Sequence, residues 1–437
     1  MDSIRDLILI AVVLGLTGIA LIRPFTGLLS FIVFSIVNPH SMAWSFAQTF
    51  PGVLPIALAT IVGYLISSEP KHLPRQREVY LLLGLWLMFC VSTSTAFYPN
   101  EAFTVLTYVS KILLMVFLSL AMVTTKPRLL QLLRAIALSF GFLGFKAGIF
   151  TIRTGGQEMV WGPEHSFLEA NNSIGVALAM ALPLLYHLRR TESRPWLRHL
   201  MLAMMILSYP AIVCTFSRGA WLSAGAATAL MLWRSRHRWL TVAALLLILP
   251  LLSLDMLPKR VVSRYDDLQN YETEGSAQSR FWTWEFCRRV GFANPLTGAG
   301  FNFNSEETYR QYYPEFLGKF DAPKACHGTP FTLLGEHGFP GVVLWIALIS
   351  SCLLSLQRTR RIGQRAGPDG VWLVATSDML QASFAAYVVG GMFVDLNYFD
   401  IFYQFTAVVA MVKTLAPQVQ AGVPRPGAVG VPAKGRP

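Results

Sequence analysis

Apolar residues along this chain gather into thirteen runs, at 7–22, 25–38, 53–67, 79–96, 103–123, 130–152, 172–188, 200–215, 218–233, 239–254, 329–354, 371–393 and 396–414. A bilayer crossing takes ~20 mostly apolar residues, and most runs approach that length. They are continuous rather than alternating, so barrel strands are excluded and the spans are helices. The first two runs close tightly around Arg23-Pro24. They read either as two crossings or as one crossing and an interfacial piece. The pattern thus predicts an all-α polytopic membrane protein with about 12 spans. Connections between runs are short, except at 255–328. A loop of ~70 residues exceeds what a connector needs and is usually functional. The chain divides into a helix bundle (1–254), a long loop (255–328), further spanning helices (329–414) and a Pro- and Gly-rich tail (415–437) read as disordered.

Basic residues set the orientation. Lys71, Arg75 and Arg77 share a side with Lys126, Arg128 and Arg134, with Arg189, Arg190, Arg194 and Arg198, with Arg234, Arg236 and Arg238, and with Arg358, Arg360, Arg361 and Arg365. This side is cytoplasmic by the positive-inside rule. The loops near 39–52, 97–102, 153–171 and 255–328 then face outward. Within the long loop, Ser276–Glu285 reads as a short amphipathic helix capped by Ser276 or Ser279. Asn294–Gly300 reads as a turn.

Composition agrees. The chain is 54% hydrophobic and 14% charged, against about 25% charged in soluble proteins. Its net charge of +12 lies in the short loops rather than along one stripe, so nucleic acid is not a partner. Of the 5 cysteines, Cys90, Cys214 and Cys352 fall in apolar runs and read as small core residues. Cys287 and Cys326 lie in or beside the long loop, where a disulfide is possible and not decided by sequence. The start, Met1–Asp6, lacks a basic region and a small-residue cleavage site, so it reads as a retained helix.

The densest chemistry lies in Cys326-His327-Gly328-Thr329-Pro330, where the long loop re-enters an apolar helix, and continues through Glu336-His337-Gly338-Phe339-Pro340-Gly341. Imidazole exchanges protons near neutral pH. Proline suits a first helical turn, so His327 stands at a helix N-terminus, a position that favours the neutral base. A partly exposed structural histidine is the plainer alternative. Glu336 and His337 follow about 2.5 turns later. Glu336 is expected to orient an arginine or the histidine, and His337 is a second candidate base. Arginine grips phosphate through two hydrogen bonds at once. Arg218 opens an apolar run beside Ser217 and Gly219, where an arginine is costly unless it meets protein, water or an anion. Snorkelling is the alternative. Arg280 lies on the loop helix, one face of which carries Phe281, Trp284 and Arg288; an arginine on a solvated face is the alternative. Lys146, inside an apolar run, is a phosphate partner or a snorkelling amine. Lys111 and Asp395 raise the same question in weaker context. No clustered carboxylate site or cysteine–histidine spacing points to a metal, and no cofactor motif occurs.

His327, then Gly328, Thr329 to His337, Gly338 and Gly341 resemble the histidine–glycine signature of bacterial O-antigen ligases and polymerases. Gly328 stands where Asn, Ser or Gln is usual. Ser217-Arg218-Gly219 and the segment around Arg280 also fit that superfamily. Asn38-Pro39-His40, Trp44-Ser45-Phe46-Ala47, Gly144-Phe145-Lys146, Thr154–Gln157, Val160–Pro163 and Glu169–Asn172 resemble the O-glycosylation ligases that accompany exosortase systems. The resemblance implies a bacterial inner-membrane glycosyltransferase whose site faces the periplasm. It implies transfer of a glycan from undecaprenyl diphosphate to an acceptor hydroxyl, without metal or cofactor. The acceptor expected is the lipid A-core of lipopolysaccharide. A protein hydroxyl, or a glycan in a polymerase, is the alternative. In this reading His327 is the base, and Arg218, Arg280, Arg288 and Lys146 hold the diphosphate. A transporter of the same lipid is the rival of another class. It would place charges near the midplane and break helices there, and no broken helix is evident in the sequence.

Overall fold

The computed structural model describes residues 2–43, 46–50, 52–234, 275–317 and 323–421. The apolar run at 239–254, the start of the long loop and the tail past Ala421 lie outside the described residues. Among those described, every regular element is helical. The α-helices are α1 (Asp2–Ile22), α2 (Pro24–Val37), α3 (Val53–Ile66), α4 (Arg77–Ser94), α5 (Pro99–Met122), α6 (Lys126–Arg153), α7 (Asn171–Thr191), α8 (Pro195–Val213), α9 (Arg218–Trp233), α10 (Gly275–Ala293), α11 (Glu306–Tyr312), α12 (Thr329–Arg365), α13 (Val371–Gly391) and α14 (Asp400–Ala421). Proline occupies the first turn of α2, α5, α6, α8 and α12, where its missing N–H has no helical acceptor anyway.

The chain is a multi-pass membrane protein. Among the described residues, six helices (α1, α4, α5, α6, α8 and α12) are long and apolar enough to span, and α2 and α3 are apolar but shorter. The first two apolar runs are separate helices that part at Arg23. Helix α7 forms the centre. Its residues Ile174 to Leu185 are all buried, and it packs against α6, α8, α9 and α13. On α6, Gly144 meets Ser208 and Gly148 meets the backbone of Leu207. Two small residues one turn apart let α6 and α8 approach closely, as in other membrane helix pairs.

The loops collect at two ends. At one, Glu69 pairs with Arg128 at 2.6 Å, Arg134 with Glu192 at 3.2 Å and Arg234 with Asp378 at 2.6 Å. At the other, Asn38 Nδ2 donates to the Glu164 carbonyl at 2.7 Å, Asn171 Nδ2 to the Thr215 carbonyl at 2.8 Å, and the Phe97 N–H to the Ala299 carbonyl at 2.9 Å. His327 lies at this second end.

Three sequence expectations change. The loop helix runs from Gly275 to Ala293, well beyond Glu285, because Phe286, Cys287 and Val290 continue its buried face. Helix α14 continues to Ala421 through Pro417, so residues 415–421 are helical rather than part of a disordered tail. And α12 is broken. Gly338 takes φ 64°, ψ −166°, a conformation open essentially to glycine alone. The segment 295–300 fills the break. Ala299 and Gly300 donate to the carbonyls of Gly335 and Glu336 at 2.8 and 3.0 Å, and Phe339 donates to the Pro295 carbonyl at 2.9 Å. Backbone groups freed inside a membrane protein need such partners. The break is therefore met by the long loop itself, which is anchored deep against α12.

Candidate active site

His327 stands two residues before the first residue of α12, with Gly328 as the N-cap between, and takes a left-handed φ of 50°. A non-glycine residue holds that conformation only where its surroundings fix it. The fixing group is Asp395, in the segment between α13 and α14. Its Oδ2 accepts the His327 N–H at 3.0 Å, and its Oδ1 accepts the Gly328 N–H at 2.9 Å and the Thr332 hydroxyl. A carboxylate at a helix N-terminus also meets the positive end of the helix dipole. One turn of α12 is tied to the same segment by Thr329, whose Oγ1 donates to the Val394 carbonyl and accepts from the Leu396 N–H, both at 3.0 Å.

The imidazole is half-buried. Burial pushes its pKa below the ordinary 6.5, Asp395 opposes this, and the positive charges of Arg280 and Lys324 reinforce it. The sequence expectation of a lowered pKa thus holds, but burial rather than the helix terminus leads.

Helix α10 lies against the start of α12. Trp284 stacks on Phe331 with centroids 4.8 Å apart and planes 10° from parallel. Thr283 Oγ1 donates to the Cys326 carbonyl at 3.1 Å. A Cys287–Cys326 disulfide fastens the two segments, with Cα atoms 6.3 Å apart. Arg280, one turn before Trp284 and half-buried, is thereby placed where its charge acts on His327. Arg218 is the first residue of α9, capped by Ser217, whose Oγ accepts the Ala220 N–H at 3.3 Å. Gly219 beside it abuts Phe393 and Val394, neighbours of Asp395. Three elements distant in sequence thus bring Arg218, Arg280 and His327 to one end of the bundle, around the 392–399 segment.

The remaining candidates sit otherwise. Arg288 is exposed and held by Glu285 through two bonds of 2.7 and 2.8 Å. Arg288 and then Arg289 hold the Glu285 carboxyl down to about 2. Eight residues of helix also set Arg288 ~12 Å along the axis from Arg280. Lys146 is exposed on α6, a helix that packs against α2, α7, α8 and α14. No described contact joins it to His327.

His337 and Glu336 form a buried network. The His337 Nδ1 lies 2.6 Å from Ser92 Oγ and its Nε2 lies 2.7 Å from the Tyr398 hydroxyl. Glu336 accepts the Tyr398 hydroxyl and the Asn302 N–H at 3.2 Å. Both His337 nitrogens are occupied and the ring is wholly buried. Glu336 orients a tyrosine and a loop backbone, and its carboxylate lies 3.9 Å from His337 Nε2. Together they bind α4, the broken α12, the long loop and the 392–399 segment.

Two features escaped the sequence. Asp395 stands 68 residues from His327, so no spacing rule connects them. Trp284 accounts for Gly328: a Cβ built on Gly328 would lie 2.8 Å from Trp284 Nε1 and 3.3 Å from the Phe331 ring. A polar side chain at 328 therefore has no room while the indole is present. Among the described residues, no group of three or more His, Cys, Asp or Glu side chains is placed to hold a metal ion.

Comparison with known families divides the chain in two. Residues 4–193 match a family of unknown function, and residues 202–346 match the O-antigen ligase family. The second match runs from α8 into α12 and includes Arg218, Arg280, His327 and the break at Gly338. No curated protein matches the chain.

Proposed function

The chain belongs to the O-antigen ligase superfamily, and from that premise we propose that it is an inverting glycosyltransferase of the bacterial inner membrane, its site facing the periplasm. The donor is a glycan on undecaprenyl diphosphate. The acceptor is a hydroxyl of the lipid A-core of lipopolysaccharide, with a protein hydroxyl or a growing glycan as alternatives. The observation that carries this reading is the half-buried, backbone-clamped His327 within electrostatic reach of Arg280.

His327 takes the proton from the acceptor hydroxyl as its oxygen bonds to the anomeric carbon. The bond from that carbon to the diphosphate oxygen breaks on the opposite side, which inverts the centre. The negative charge lands on undecaprenyl diphosphate, where Arg280 and Arg218 stabilise it. Fixed cations placed where charge develops lower a transition state more than most other devices an enzyme has. His337 is unsuited to the base role, since both ring nitrogens are engaged. Arg288, already paired with Glu285, and Lys146 take outer places at most. The 255–328 loop supplies the arginine and its tether, and the helices before and after it supply the frame.

A transporter of the same lipid also uses broken helices, and the break at Gly338 is the observation in its favour. Its exposed backbone groups, however, are taken by residues 295–300 rather than offered to cargo. The test is to incubate purified protein with undecaprenyl-diphosphate glycan and, separately, lipid A-core, a Ser/Thr-rich protein, or the glycan alone. Release of undecaprenyl diphosphate is followed. Acceptor-dependent release that falls ~10²–10⁴-fold in His327→Ala is expected. Unchanged release in that variant would remove His327 as the base, and donor binding without release in any arm would favour transport.

A further inference from the structure

Away from His327, a cleft of about 490 Å³ opens between α2, α3, α5 and α14. Its walls are apolar, with Ile32, Ile36, Leu58, Ile112, Met115 and Ile401 among them. Its size and lining suit one apolar ligand portion. Against these walls stand Lys111 and Asp400, with Tyr108 and Gln404.

Two observations mark the polar groups as more than a packing accident. Lys111 is exposed in the middle of α5, a helix long and apolar enough to cross a membrane. Among the described residues it makes no ion pair. An ammonium at such depth is costly unless a partner or water meets it. Asp400 lies beside the Tyr108 hydroxyl, yet its Oδ1 is buried with no hydrogen-bond partner among the described residues. The cleft thus offers one unmatched cation and one unmatched acceptor on apolar walls.

Helices α2 and α3 have 14 residues each, or ~21 Å of rise, against a hydrocarbon core of ~30 Å. Short spans draw the bilayer surface inward. Ser35 near the end of α2 and Val53 at the start of α3 both line the cleft, so its mouth lies where those helices stop. A lipid head there is lower than at a full-length span and comes within reach of Lys111.

We propose that this cleft binds a zwitterionic phospholipid of the phosphatidylethanolamine type, its phosphate on Lys111, its ammonium on Asp400 and one acyl chain along the apolar wall. Charges of both signs in one site select a head that carries both. A purely anionic lipid would meet the Asp400 carboxylate, and an uncharged one would leave Lys111 unmatched.

The test is native mass spectrometry of the full-length protein released from nanodiscs that hold equal amounts of phosphatidylethanolamine, phosphatidylcholine and phosphatidylglycerol. Wild type should retain phosphatidylethanolamine over phosphatidylglycerol by about tenfold or more, the worth of one hydrogen bond to a charged group. Phosphatidylcholine should bind less well, because its trimethylated head cannot donate to Asp400. Lys111→Met and Asp400→Asn should each erase the preference. Ala57→Phe, which fills the cleft without touching a charge, should lower retention of all three lipids and carries the test where a charge variant fails to fold. Equal retention of the three by wild type overturns the proposal. So does a preference that survives Lys111→Met and Asp400→Asn, or one for phosphatidylglycerol. Retention unchanged in Ala57→Phe would place the lipid elsewhere and overturn it too.

Discussion

Asp395 holds His327 by the backbone, not by the ring: its Oδ2 accepts the His327 N–H at 3.0 Å while its Oδ1 accepts the N–H of Gly328 at 2.9 Å. The imidazole is therefore aimed by its own main chain, in a left-handed conformation that costs of order 1–3 kcal/mol and needs support. Asp395→Asn keeps the shape but leaves one oxygen to do the work of two. Hydrogen bonds to a charged group contribute about 1.5–3 kcal/mol, so turnover should fall roughly 10–150-fold. The same change removes the one negative charge that favours imidazolium, so the acid limb of the pH–rate profile should move to still lower pH. A purely structural Asp395 would lower turnover without moving that limb.

The wild-type profile follows from the same site. Burial, then Arg280 and Lys324 over the opposition of Asp395, holds the His327 pKa below 6.5. The base form then persists through neutrality, and the rate should be flat above pH ~6.5 and fall only beneath it. The sign for stability is the same. The unfolded chain takes up the proton near its ordinary pKa while the folded chain resists, so the contribution is whole above ~6.5 and is lost as pH falls toward the folded value. Melting temperature against pH, with His327→Gln beside wild type, measures it. Equal slopes in the two proteins below pH 6.5 would sink the assignment.

How much of this is legible in the sequence depends on the range of each signal. Helices follow from apolar runs, which are local. His327 and the start of α12 follow from Pro330 and a polar-to-apolar boundary, also local. Arg280 stands out beside aromatic residues, on a helix whose far end, Ala293, is hidden because charged Arg288 and Arg289 interrupt the apolar pattern. The Asp395 clamp, the Tyr398–His337–Ser92 chain and the Trp284 contact with Gly328 join residues 61 to 245 or 44 apart in the chain. Spacing along one sequence is blind to such pairs. The break at Gly338 is written in Gly338-Phe339-Pro340-Gly341, but the segment that fills it is not.

That break is directly testable. Gly338→Ala must place an L-residue at φ 64°, ψ −166°, and its Cβ would lie 2.5 Å from the Pro295 carbonyl oxygen. The backbone strain alone is about 1–3 kcal/mol. We expect a large fall in melting temperature and in yield. An Ala variant as stable as wild type would mean that α12 can run straight through 338.

The Cys287–Cys326 disulfide should stabilise the fold and align α10. It spans 39 residues, for which loop entropy gives about 4 kcal/mol. Reductant should lower the melting temperature of wild type and leave a Cys287→Ala/Cys326→Ala double variant unchanged. Turnover of that variant should fall as well, because Arg280 and His327 lose their shared tether. A non-reducing gel with thiol labelling checks the bond first, and full labelling of both thiols before reduction would remove it.

Gly328 and Trp284 should prove to be one unit. Gly328→Asn restores the residue type usual in the superfamily, yet its side chain would start 2.8 Å from the indole nitrogen of Trp284. Overpacking of a buried contact costs typically about 1–3 kcal/mol, and here it would also push α10 away from His327. Trp284→Ala loses the stack on Phe331 but opens space at 328. The double variant should therefore be better than the sum of the two single changes, with a coupling of about 0.5–3 kcal/mol in thermal stability and recovery of part of the turnover. Strict additivity in both readouts would mean that the glycine is there for another reason, and that the indole does not decide which side chain stands beside His327.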